Sequence, residues 1–209
     1  SAQLPEQFSA WEHAARDLPS LTRSREIRSV VDAWPLLDVS ALQGDFSAAQ
    51  RRAYAILAMI AQAYVWCDED RPRESLPQAL ALPLYKTATA LGMPPVITHA
   101  AVDLWNQRRR PTVEDGGHGF STEDFECLTT MTGTPDEAWF YCTSTAVQAL
   151  AAPAVLAAYD LMAESVPALD VDAVTTFLWQ LEGCLRDMAA TLQRLPEQCR
   201  PEVFWKQMR

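Results

Sequence analysis

Three hydroxyls in a row, Thr143-Ser144-Thr145, interrupt a stretch otherwise rich in Ala, Val and Leu, just after the aromatic run Trp139-Phe140-Tyr141 and Cys142. Phe140, Ser144 and Gln148 recur every four residues, so on a helix they line one face with a ring, a hydroxyl and an amide. Such a face can border a ligand pocket; alternatively, Ser144 bonds back to a helix carbonyl while Phe140 packs in a core. His99, in "THAAVDLW", is a second candidate, either a hydrogen-bonding group or a satisfied core or boundary histidine. Arg209, closing "RPEVFWKQMR", is a third: its planar fork suits a carboxylate ligand, and equally a surface position beside aromatics. Trp205 shares a helical face with Arg209, whereas Phe204 diverges from it by roughly 140°. His13, His99 and His118 share no metal-ligand spacing, and no Gly-rich phosphate loop or nucleophile elbow occurs.

The elements that must position these groups read as helices, and the fold class is all-α. "LPEQFSAWEHAARDL" carries Phe8, Trp11, Ala14, Ala15 and Leu18 at helical spacing and is closed by Pro19. "SREIRSVVDAW" places Ile27, Val30, Val31 and Trp34 on one stripe. A helix from about Ser47 to Trp66 is apolar on nearly every face after Tyr54, which calls for a central position. The charged linker "CDEDRPRESLPQ" suggests a boundary, giving a small unit over 1–75 and a larger one over 76–209. A short helix to Leu91 follows, then the Gly92-Met93-Pro94-Pro95 break, a helix from about Val96 to Asn106, and a glycine-rich loop. Arg108-Arg109-Arg110 reads as a helix end. The hydroxyl-bearing helix runs to about Met162 with a kink expected at Pro153. Asp170 then caps the most regular amphipathic helix in the chain, from Val171 to Leu192. "FECLTTM" is the one stretch that hints at a strand.

The chain has 209 residues, enough to bury a sizeable core. A net charge of −10 argues against nucleic acid or an anionic membrane as the main partner. Its five cysteines are scattered and odd in number, without a CxxC pair, and no signal-like run opens the chain, which points to a reducing, cytoplasmic setting. "AYAILAMIAQAYVW" is the nearest approach to a membrane span, but Gln62 interrupts it, so a buried helix is expected and no membrane.

Five blocks, in order, resemble the indoleamine 2,3-dioxygenase family: "LPEQFSAWEHAARDLP", "AQAYVW", "LPQALALPLYKTATALGMPPVITHAAVDLWN", "TGTPDEAWFYCTSTAVQALAAP" and "RPEVFWKQMR". The resemblance implies an all-helical protein with a small N-terminal domain over a larger domain holding haem b. It implies insertion of both atoms of O2 across the indole C2–C3 bond of tryptophan or a related indole, giving an N-formylkynurenine-type product. Phe140 and Ser144 would then border the distal haem pocket, Phe204 would stack near the indole, and Arg209 would bind the substrate carboxylate.

Two positions depart from the family pattern. His99 stands where a pocket tyrosine is common, and Gln148 where a glutamate is usual. The family's proximal histidine lies C-terminal of the arginine block, and none of His13, His99 or His118 matches it by position. The chain therefore reads as the distal wall, with the remaining half expected in the same polypeptide or a second one. Two rivals stay open: a haem-dependent indole monooxygenase or rearrangement enzyme, and a non-catalytic helical binding module with an exposed apolar patch.

Overall fold

The computed structural model describes residues 3–42, 47–110, 120–165 and 170–208. Arg209, His118 and most of the glycine-rich loop lie outside the described residues.

The N-terminal third is a pack of short helices around one long one. α1 (Ser9–Arg16), α2 (Leu18–Arg23) and α3 (Ile27–Asp32) lie against α4 (Ala48–Trp66). Pro19 sits in the first turn of α2, so it opens the next helix as well as closing the previous one. The Ser47 hydroxyl accepts the Gln50 N–H and starts α4. From Ala53 to Ala61 every residue of α4 is buried, as its all-round apolar sequence requires. α5 (Gln78–Ala90) adds Leu80, Leu84 and Ala88 to the same core, which runs from Leu4 to Ala101 and includes the fully buried Phe8, Trp11 and Leu18. Pro83 is tolerated inside α5, and the Thr87 hydroxyl caps its carbonyl at 2.8 Å.

The all-α fold class holds, and beyond α5 the structure departs from the expected elements in two places. The expected helix to Asn106 is a single wide π turn, Ala100–Leu104, entered at His99. Asn106 ends it by bonding elsewhere: its amide donates to the Thr129 carbonyl at 2.7 Å, and its own carbonyl accepts the Leu128 N–H at 2.8 Å. Arg108-Arg109-Arg110 is correspondingly no helix end. β1 (Gln107–Arg109) pairs antiparallel with β2 (Phe125–Cys127), within the stretch that hinted at a strand. The register sets Arg108 opposite Glu126, an ion-paired cross-strand neighbour that favours the ribbon.

α6 (Pro135–Ser165) is continuous through Pro153, and α7 (Val171–Gln193) returns along it. Asp170 caps α7 by accepting the Asp172 N–H at 2.9 Å. Gly133, at φ +72°, leads into α6 with Pro19 so close that a Cβ there would sit 2.9 Å from the proline ring. α6, and not the α4 stretch, is the described helix long and apolar enough by length and composition to cross a membrane. Its first turns nonetheless bury two carboxylates, Asp136 and Glu137, and pack on β2. α8 (Pro201–Val203) continues into a second π turn, Phe204–Met208. The fixed 100° step used above to place Phe204 and Trp205 relative to Arg209 therefore does not hold from Phe204 to Met208.

Candidate functional site

The three hydroxyls of α6 divide the labour of placing that helix. Thr143 is fully buried and meets the Thr122 hydroxyl at 3.3 Å. Thr145 donates to the Tyr141 carbonyl at 3.0 Å and also reaches the Asp103 carbonyl at 3.1 Å. The back-bond that Ser144 could have made is thus made by Thr145, which at the same time pins the π turn to α6. Ser144 is left half-buried, one turn along from Phe140, with its hydroxyl beside the Asp103 side chain.

Phe140 and Phe204 are brought together, ring centroids 5.4 Å apart and tilted by 41°. Tyr141 meets Phe140 edge-on at 5.9 Å, and Trp205 meets Phe204 at 6.2 Å. The contact between α6 and the C-terminal segment depends on Asp136. Its carboxylate accepts the Arg200 backbone N–H at 2.8 Å and two guanidinium N–H groups at 2.9 Å each. These bonds from Arg200 hold the Asp136 carboxyl down at about 2. A second clamp binds the same end: Arg194 pairs with Glu123 and Glu197, and its carbonyl accepts the Trp139 indole N–H at 3.3 Å. Glu123, hydrogen-bonded by Arg194, is likewise lowered to about 2.

His99 belongs to an adjoining part of the site. Its Nδ1 lies 2.6 Å from Asp103 Oδ2, one turn on, and its side chain is 51% exposed against 4% for Asp103. Burial pushes the Asp103 carboxyl up to about 6, against the pull of His99 and of the Ser144 hydroxyl. Its other oxygen, Oδ1, is buried without a hydrogen bond of normal geometry. His99 and Tyr141 help to line a cleft of about 1220 Å³ that also takes in Trp66, Thr132 and Met208. Behind it, Glu137 accepts the Met131 and Thr132 N–H groups at 2.8 and 2.7 Å and fixes the loop that enters α6.

The structure therefore joins Phe140 to Phe204, and Ser144 to His99 through Asp103. Gln148 stands exposed farther along α6. Sequence reasoning missed Asp103, although a His and an Asp four apart on one helix was a readable signal. It also missed Asp136 and Arg200, 64 residues apart, whose pairing no local spacing announces. Among the described residues no group of three or more His, Cys, Asp or Glu could hold a metal ion. Burial pushes the Cys127 and Cys142 thiols up to about 12 and about 11, which keeps both protonated near neutral pH.

The comparisons with known proteins agree along the whole chain. The family model described as indoleamine 2,3-dioxygenase matches residues 1–209. Among curated proteins, the chain is 35% identical to indoleamine 2,3-dioxygenase nanC of Aspergillus nanangensis, over 99% of this chain and 50% of that protein. It is 32% identical to indoleamine 2,3-dioxygenase of Saccharomyces cerevisiae, over 97% and 45%. It is also 28% identical to a protein named myoglobin from Haliotis diversicolor, over 99% and 51%. The chain spans about half the length of the curated relatives it matches. With its helical fold and a match running from end to end, the chain belongs to the indoleamine 2,3-dioxygenase family.

Proposed function

We propose that this chain forms the distal wall of a haem-dependent dioxygenase that opens the indole C2–C3 bond of tryptophan or a related indole. The observation that carries this is the Phe140–Phe204 ring pair, fixed by the Asp136–Arg200 clamp beside a half-buried serine hydroxyl. These residues suit a haem's distal face: flat apolar walls, one small polar group, and an adjoining apolar helix surface still open to cover. The described residues place no assigned iron ligand on that face, so the axial histidine would come from outside them. Haem, when bound, would supply the oxygen chemistry.

The protein's own contribution is positioning. Phe204 would stack on the indole, and Phe140 would keep water from the reacting edge. Ser144 would offer one hydrogen bond toward the pocket. Arg209 would grip the substrate carboxylate, a bidentate charge-assisted pair that fixes the ring's orientation. The remaining half of the fold would come from the same or a second polypeptide and cover the open face of α6 and α7.

Two observations keep rivals in play. A relative named myoglobin means that membership of the family alone does not name the reaction. The apolar side chains exposed on α7 also suit a module that only binds a partner. Mass analysis of products from L-tryptophan, with the remaining half of the fold, haem, a reductant and O2 supplied, separates these readings. A product heavier by two oxygen atoms is expected; a gain of one atom supports the monooxygenase, and unchanged tryptophan supports a non-catalytic protein.

A further inference from the structure

We infer that His99, held by Asp103, is a specificity-determining hydrogen-bond acceptor that selects ligands carrying a free N–H, and that Asp103 is its positioning residue. The inference rests on the indole reading above for the identity of the ligand, but its structural part stands on this chain's geometry alone.

A 2.6 Å contact between Nδ1 and a carboxylate oxygen needs a proton between the two atoms. With Asp103 ionised, that proton resides on Nδ1, so the neutral imidazole carries its lone pair on Nε2. Nε2 lies on the opposite edge of the ring, on a side chain that lines the cleft and is half exposed to solvent. His99 in this state can only accept a hydrogen bond there. A tyrosine hydroxyl in its place could also donate.

Asp103 is built for this task. It is almost wholly buried, and its second oxygen has no hydrogen-bond partner of normal geometry, so its one strong interaction is with His99. From α6 the Ser144 hydroxyl bonds the carboxylate, and Tyr141 and Cys142 lie near enough to feel its charge. Burial pushes Tyr141 well up and Cys142 to about 11, so both stay neutral and donate no competing charge. The Ser144 hydroxyl favours the charged carboxylate. Asp103 therefore ionises above about pH 6 and thereafter orients the ring. A ligand that blocks its ring nitrogen with a methyl group leaves Nε2 without a donor and loses affinity.

Two measurements test this. In the long-range proton–nitrogen spectrum of ¹⁵N-labelled protein at pH 8, His99, identified by its loss in His99→Phe, is expected as the Nδ1–H tautomer. Asp103→Ala should return it to a mixture rich in the Nε2–H form. A wild-type His99 protonated on Nε2, or a tautomer that Asp103→Ala leaves unchanged, overturns the inference; the wild-type spectrum decides even if the variant does not fold. Second, indole should bind about tenfold more tightly than 1-methylindole, the worth of one hydrogen bond, and His99→Phe should bring the two together. Equal binding to the wild type overturns the inference. Binding of neither probe contradicts the indole reading instead, and the tautomer then decides the inference by itself.

Discussion

The core built between Leu4 and Ala101 and the α6–α7 hairpin use apolar side chains in opposite ways. In the first, Phe8, Trp11, Leu18, Ile56 and Leu57 are fully enclosed by neighbours from α1 to α5. In the second, α7 buries none of its residues, and Val171, Leu178, Trp179 and Leu185 are all more than half exposed. Yet α7 carries the most regular amphipathic pattern in the sequence. Periodicity records that a helix has an apolar face, but not whether its partner lies in the same described stretch. The difference marks the hairpin as a surface made to be covered, and the core as a unit that is complete in its packing.

Substitution energetics offer the largest test of that contrast. Trp11→Ala or Leu57→Ala should cost on the order of 2–5 kcal/mol in chemical denaturation, through lost burial and a residual cavity. Leu178→Ala on α7 should change stability by less than about 0.5 kcal/mol, because water already reaches the site. Comparable costs at the two places would mean that α7 is covered in solution and the contrast is false.

Acid and base sharpen the comparison at the seam between the regions, with a smaller effect. Asp136 and Glu123 are lowered by their arginines, so what they contribute is present above the usual carboxylate range near pH 4 and is lost as pH falls toward 2. Acidification should therefore loosen the C-terminal segment first, seen as faster amide exchange around Phe204 while α4 stays protected. Asp103 has the opposite sign. Its raised carboxyl is easiest to bury when protonated, so stability should decline as pH rises from about 4 through about 6. Asp103→Asn should flatten that slope, and an unchanged slope would remove Asp103 as its source.

Much of the fold was legible because helical spacing is a local signal. The central burial of α4 and the Asp170 cap both followed from neighbours in sequence. What was not legible depended on distant partners. The helix expected through Asn106 gave way to a π turn because Thr129 and Leu128 take that residue's hydrogen bonds. The three arginines became a strand and its end because Glu126 lies across from the middle one. The site shows the same division. Phe140 and Ser144 could be named from spacing, and Phe204 from the resemblance. The Asp136–Arg200 clamp that brings Phe204 to Phe140 spans 64 positions and left no local trace.

The visible absorption spectrum tests the central claim most directly, followed as haem and then L-tryptophan are added to the wild-type chain and to Phe204→Ala, each together with the half of the fold that supplies the axial histidine. The account predicts a sharp Soret band that tryptophan shifts, with about tenfold more tryptophan needed in the variant, where stacking and apolar contact are lost. With the half that supplies the axial histidine present, a spectrum that keeps the broad band of free haem, or a band indifferent to tryptophan, would contradict the assignment of this aromatic wall to a haem and indole pocket.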